Sequence, residues 1–167
     1  YLKPKSLEEA MAIYKGAVDP IYMAGGMTLI ATMKQRLAQP SDVIDLSQIK
    51  GLNDICQKDK TIFIGAMTTH ATVGASENVK EYIPALSALA GEIGDPQLRV
   101  RGTLGGSIAN ADPSADYPAS LLALDATIST HSRQIKADDF FTDLFETALE
   151  TGELITGVSF KIPKRAS

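Results

Sequence analysis

Two short segments built around paired glycines carry the residues of this chain best suited to chemistry. The first, Met23-Ala24-Gly25-Gly26-Met27-Thr28, joins an apolar strand-like run to a helical pattern. Glycines admit positive φ and let backbone N–H groups approach an anion closely, and a helix starting at Thr28 adds partial positive charge. A pyrophosphate suits that arrangement, although a single loop of this kind is better explained as a tight strand-to-helix turn. Its spacing is neither G-x-G-x-x-G nor a phosphate loop ending in Gly-Lys-Ser/Thr. The second segment runs from Arg101 through Gly102, Thr103, Gly105, Gly106 and Ser107 to Asn110, Asp112 and Asp116. Its glycines offer further backbone donors, its hydroxyls flank them, and its Asn and Asp side chains supply acceptors for sugar or ribityl hydroxyls. Isolated Asp-Pro units are usually turn caps, which would reduce Asp112 and Asp116 to punctuation around Pro113 and Pro118. Sixteen residues this rich in Gly, Asn, Asp and hydroxyls, in an otherwise apolar neighbourhood, favour a ligand loop.

The other reactive side chains form no constellation. His70 and His131 stand far apart with no carboxylate or cysteine at ligand spacing, and each reads as a surface or capping residue. Asp138-Asp139 reads as a turn or helix start, and Cys56 as a loop thiol. No Gly-x-Ser-x-Gly elbow and no Ser/His/Asp arrangement is present. The expectation is no catalytic side chain and no protein-held metal.

Composition narrows the class further. A chain of 167 residues with 44% apolar side chains can fill the core of one ordinary domain, built if necessary as two lobes. The net charge of −4 offers no basic footprint for nucleic acid, and no apolar stretch is long enough to span a bilayer. One cysteine excludes an internal disulfide and a four-cysteine iron–sulfur cluster held by this chain alone. A reducing, cytoplasmic setting is expected. Tyr1 and the strand-like run before the C-terminus suggest a fragment of a longer chain.

These segments need elements to hold them. Ser6 and Glu9 form a capping-box pattern ahead of a helical face of Leu7, Ala10, Met11 and Tyr14, with Gly16 placed to stop it. Pro20–Ala24 and Asp42–Leu46 read as strands. Between them, Leu29, Ile30, Met33 and Leu37 give a helical period from Thr28 to Leu37. Residues 1–50 thus read as a small α/β lobe with parallel strands. From 51 to 167 a larger α+β lobe follows: a strand at Thr61–Ala66, a short helix capped by Thr68 or Thr69, and a helix over Pro84–Ile93. After the glycine-rich loop of residues 102–118 come a buried helical turn at Ala119–Leu124 and antiparallel strands at Ala126–Thr130, Gln134–Lys136 and Leu154–Ile162.

The ordered succession Ala24-Gly25-Gly26 with Thr28-Leu29, Gly94-Asp95-Pro96-Gln97, Arg101 to Gly106, Ala109 to Asp116 and Glu153-Leu154-Ile155 covers essentially the whole chain. It resembles the medium, FAD-binding subunit of molybdenum hydroxylases of the carbon monoxide dehydrogenase and xanthine dehydrogenase types. The resemblance implies a two-lobed α+β FAD-binding fold of the vanillyl-alcohol-oxidase-like (PCMH) type, with the flavin stretched between the lobes. It implies that Tyr22, Met23, Ala24, Gly25, Gly26, Met27 and Thr28 wrap the pyrophosphate and nearby ribityl, and that Thr103, Gly105, Gly106 and Ser107 supply a second set of phosphate donors. Asn110 and Asp116 would contact the ribityl or adenosine portion with Ala109 close by. Ile93 and Gly102 would lie near the isoalloxazine, and Ile155 on the adenine side or ring edge. Ser107 stands where many relatives have Asn, and Met27 where a small or polar residue is common.

The resemblance further implies an electron relay. An iron–sulfur subunit and a molybdenum-cofactor subunit would lie on partner chains, and the flavin would pass electrons to NAD⁺, oxygen or another acceptor. Such subunits continue into a C-terminal domain that covers the flavin ring. The expectation here is a domain holding the polar FAD tail, binding FAD weakly alone and turning over no substrate unaided. The rival readings are a cofactor-free assembly module of the same fold and, ranked lower, a fragment of a stand-alone flavin oxidase.

Overall fold

The computed structural model describes residues 1–163, so Lys164 to Ser167 lie outside the described residues. The chain opens with helix α1 (Leu7–Gly16), whose N-cap Ser6 accepts a hydrogen bond from the Glu9 N–H. Glu9 does not close the capping box: its carboxylate reaches one residue further, to the Lys5 N–H at 2.7 Å. Strand β1 (Pro20–Met23), helix α2 (Met27–Lys34) and strand β2 (Asp42–Asp45) follow, with β1 and β2 paired in parallel from Pro20↔Asp42 to Met23↔Asp45. Parallel neighbours need a crossover, and α2 is that crossover. A small core of Ala10, Ile44, Leu46, Ile49 and Leu52 forms beneath them, joined from far along the chain by Leu154.

Helix α2 departs from its amphipathic reading. It ends at Lys34, Leu37 is 75% exposed, and none of the helix residues is buried. The apolar period is real in sequence, but Met27, Thr28, Leu29 and Thr32 face a groove instead of a core.

The second part is organised by an antiparallel sheet. Strands β3 (Ile55–Lys58) and β4 (Thr61–Gly65) form a hairpin. Helices α3 (His70–Ala75), α4 (Glu77–Tyr82), α5 (Pro84–Glu92), α6 (Pro96–Arg99), α7 (Leu104–Asn110) and α8 (Asp116–Ala123) follow. Strands β5 (Thr127–Thr130) and β6 (Gln134–Lys136), the short helix α9 (Ala137–Phe140), the pair β7 (Phe141–Asp143) and β8 (Glu146–Thr147), and strand β9 (Ile155–Lys161) complete the chain. The main sheet has five strands in the order β3-β4-β9-β5-β6, so the last strand is inserted at its centre. Alternation decides its faces: Ile62 and Ile64 of β4, Ile128 of β5, and Val158 and Phe160 of β9 share one core with Val73, Leu86, Leu104, Ile108 and Leu121 from the helices.

Several expectations need correction. Residues 102–118 are not one loop: Thr103 caps α7 by accepting from the Gly106 N–H, and Leu104, Gly105 and Ile108 are buried. Asp116 begins α8, which reaches back before Ala119. Thr69, not Thr68, caps α3. Cys56 lies on strand β3, exposed, rather than in a loop. His70 is buried to 4% exposure and is neither a surface nor a capping residue. The Asp112 carboxylate does close a turn, accepting from the Ser114 N–H at 2.9 Å and the Ser114 hydroxyl at 2.7 Å.

Candidate functional site

The first glycine turn is shaped by close backbone approach. Gly26 adopts φ +78° as N-cap of α2, a left-handed conformation that favours glycine, and offers no capping side chain. A Cβ on Gly25 would fall 2.0 Å from the Arg101 carbonyl oxygen, so this turn rests directly on the backbone leading into the second segment. The N–H groups of Gly25 to Leu29 find no acceptor among the described residues. A run of unpaired N–H groups at a helix start is a ready anion site.

The second glycine pair works differently from expectation. The Gly105 N–H donates to the Ala66 carbonyl at 2.8 Å and the Ser107 N–H to the Thr103 carbonyl at 3.0 Å. The Gly106 N–H donates to the Thr103 hydroxyl oxygen at 3.1 Å. Those donors are already engaged within the protein. What the glycines contribute is room: a Cβ on Gly105 would meet Ala66 at 2.6 Å, and one on Gly106 would meet Thr103 Oγ1 at 2.9 Å and Ala24 at 3.3 Å. The two segments therefore meet, Gly25 on Arg101 and Ala24 beside Gly106, and their helices α2 and α7 flank one groove.

That groove has a volume of about 810 Å³. Every nominated residue lines it except Asp116: Tyr22 to Thr28 on one wall, Gly102, Thr103, Gly105, Gly106, Ser107, Ala109 and Asn110 on the other, and Ile93 and Ile155 at its edges. Asp116 is not part of the lining. Sequence reasoning missed Tyr14, Met67, His70, Leu98 and the stretch Leu149–Leu154, all of which also line the groove. The Glu153-Leu154-Ile155 motif pointed to that stretch, but no local signal marked the others. A shallower hollow of about 550 Å³ among Asn53, Ile55, Ala71 and Ser76 contains none of the nominated residues.

Glu153 holds the 149–155 stretch in place. Its carboxylate, buried to 8% exposure, accepts from Arg133 Nε at 2.9 Å and Arg133 Nη2 at 2.7 Å. It also accepts from the Thr130 hydroxyl at 2.7 Å and the Glu150 N–H at 2.8 Å. The Arg133 guanidinium holds this carboxyl far below the usual carboxylate range. Tyr22 stacks on Tyr14 with ring centroids 4.7 Å apart and donates to the Gly152 carbonyl at 3.3 Å, tying the first wall to the same stretch. Burial, reinforced by the neighbouring Tyr14, pushes the Tyr22 hydroxyl up to about 12. Burial depresses His70 to about 4, against a weaker upward pull from Asp116, so its imidazole is neutral at pH 7. Among the described residues no group of three or more His, Cys, Asp or Glu could hold a metal ion.

A groove with a run of free N–H groups on one wall and small residues on the other offers donors and room to an extended anionic ligand. The comparisons agree with that class. The model of the FAD binding domain in molybdopterin dehydrogenase matches residues 1–165, and the chain belongs to this family. It is 40% identical over 162 residues to the nicotine 6-hydroxylase medium subunit of Paenarthrobacter nicotinovorans, covering 95% of this chain and 57% of that protein. It is 38% identical to the carbon monoxide dehydrogenase medium chain of Afipia carboxidovorans, covering 98% of this chain and 58% of the relative. Among solved structures, it superimposes with TM-score 0.96 and 36% identity on a chain of carbon monoxide dehydrogenase from Hydrogenophaga pseudoflava, covering 99% of this chain and 59% of that one. The fold is the two-lobed PCMH-type FAD-binding fold, and FAD is the cofactor of the family. The chain spans somewhat more than half the length of the relatives it matches. No helix among the described residues is long and apolar enough to cross a membrane.

Proposed function

We propose that this chain is the FAD-binding electron-transfer domain of a molybdenum hydroxylase complex, holding FAD in the groove between α2 and α7. The observation that carries this reading is the row of unpaired N–H groups from Gly25 to Leu29 facing that groove. FAD bound there would supply the one- and two-electron redox chemistry.

The chain's own residues bind and orient. Backbone donors of Gly25 to Thr28, with Tyr22, Met23 and Ala24 behind them, hold the phosphates. Thr103 and Ser107 add hydroxyls, while Gly105 and Gly106 keep the wall thin. Asn110, with Ala109 beside it, serves the ribityl or adenosine portion, while Asp116, outside the lining, makes no direct contact. Ile93, Gly102 and Ile155 give apolar contact for the rings. Residues 1–50 and 51–167 are the two lobes of the proposed domain. An iron–sulfur subunit and a molybdenum-cofactor subunit are the proposed partners, in a cytoplasmic complex, which the single exposed Cys56 suits.

FAD titration of the purified chain, followed by flavin fluorescence, tests this reading, with Gly106→Trp as the blocking variant. An indole at Gly106 has no room beside Thr103 and Ala24 and must enter the groove. Saturable binding lost in that variant is expected. Absence of saturable binding by the unaltered chain overturns the reading in favour of a cofactor-free assembly module.

A further inference from the structure

His70 sits in the groove floor without a partner. It lines the groove yet is only 4% exposed, and neither ring nitrogen makes a hydrogen bond among the described residues. Nδ1 is fully buried and unpaired. Nε2 lies directly under the second glycine segment, where a Cβ on Gly102 would meet it at 2.5 Å. The backbone there is tied down, with the His70 N–H donating to the Gly102 carbonyl at 3.0 Å. Gly102 therefore lacks a side chain where one would displace the imidazole.

Buried polar groups without partners are uncommon and call for an explanation. Among the described residues, the other two buried side-chain polar atoms without a partner are the hydroxyls of Thr68 and Tyr117. Thr68 stands two residues before His70, and the Tyr117 ring lies against the imidazole at a centroid distance of 5.3 Å. Neither hydroxyl bonds Nδ1 directly, but either can donate to it through one buried water. A donor on the interior side makes Nδ1 the acceptor and leaves the proton on Nε2, the nitrogen beside Gly102 in the groove lining.

We propose that His70 is a direct cofactor contact, its Nε2–H donating to an oxygen of the polar chain of FAD, either a phosphate or a ribityl hydroxyl. This rests on the FAD reading above. It explains why an imidazole with unmet hydrogen-bond capacity is retained in an otherwise closed floor, and why Gly102 beside it has no side chain.

The test titrates FAD into the unaltered chain, His70→Leu and His70→Gln, with thermal melts to confirm that each is folded. His70→Leu is expected to weaken FAD about tenfold, the loss of roughly one hydrogen bond, and His70→Gln, which keeps a donor, to recover most of it. ADP in competition assigns the oxygen: a parallel loss for ADP identifies a phosphate, and an unchanged ADP affinity identifies the ribityl. Independently, ¹⁵N-histidine spectra of the unaltered chain, which has 2 histidines, should show a neutral His70 protonated at Nε2 whose resonance shifts on FAD addition. A folded His70→Leu that binds FAD within twofold of the unaltered chain, or a His70 Nε2 signal indifferent to FAD, overturns the proposal. Failure of the unaltered chain to bind FAD would overturn the proposed function instead.

Discussion

Replacing Gly25 by Ala tests whether the two glycine segments rest on one another as described. The added Cβ would lie 2.0 Å from the Arg101 carbonyl oxygen, and 2.8 Å and 3.0 Å from the Arg101 carbonyl carbon and Gly102 Cα. All three are backbone atoms, so no side-chain rotation relieves the clash. Reaching even a tight contact requires the turn or the facing backbone to move by roughly 1 Å, and overpacking of this kind costs typically about 1–3 kcal/mol. Because the obstacle is main chain, the upper half of that range is expected, about 2–3 kcal/mol. For a chain of this size that lowers the unfolding midpoint by roughly 5–10 °C. The same displacement moves the Gly25 to Leu29 N–H groups off their common target, and hydrogen bonds to charged acceptors contribute roughly 1.5–3 kcal/mol each. FAD affinity should therefore fall at least tenfold. Thermal melts followed by circular dichroism and an FAD titration read both effects. A Gly25→Ala chain melting within about 1 °C of the unaltered one and binding FAD equally would refute the contact between the segments.

Three further outcomes are expected. Gly91→Ala, at a helical position whose Cβ would meet nothing within 4 Å, should raise stability by about 0.5–1 kcal/mol in denaturant melts without altering FAD binding. Glu153→Gln removes the charge that Arg133 pairs with and should destabilise the chain by about 2–3 kcal/mol. Since the folded-state pKa of Glu153 is depressed, the pair's contribution is present above about pH 4.5 and is lost as pH falls toward that lowered value, so the variant's melting midpoint should respond less to acid. His70 is depressed from 6.5 to about 4, so the unfolded chain takes up that proton first. Stability should decline as pH drops from about 6.5 to about 4, by about 2 kcal/mol after allowing for solvent at the groove side, and His70→Gln should remove that slope.

Local physical chemistry was legible from residue types alone. Ser6 caps α1, Gly26 turns β1 into α2, the β1 and β2 strands are parallel, and β5, β6 and β9 lie within a residue or so of their expected ranges. Each follows from preferences acting over a few residues: side-chain capping, glycine's access to positive φ, and apolar periodicity. The glycine pairs also drew attention to the right walls, and all the nominated residues but Asp116 face one groove.

Tertiary structure decided what those walls do. Whether an N–H is free or engaged depends on what packs beside it: Ala66 takes the Gly105 N–H and Thr103 the Gly106 N–H, while nothing among the described residues takes those of Gly25 to Leu29. Both glycine pairs look alike in sequence, yet one offers donors and the other offers space. The apolar residues of α2 read as core, yet none of them is buried: Leu29 lines the groove and Ile30 is 41% exposed. His70 reads as a surface residue until Tyr117 and Gly102 close over it. Short-range pattern thus marked most of the elements, and the ordered succession of motifs carried the resemblance to the family, whereas long-range contacts decided which polar groups were left without partners.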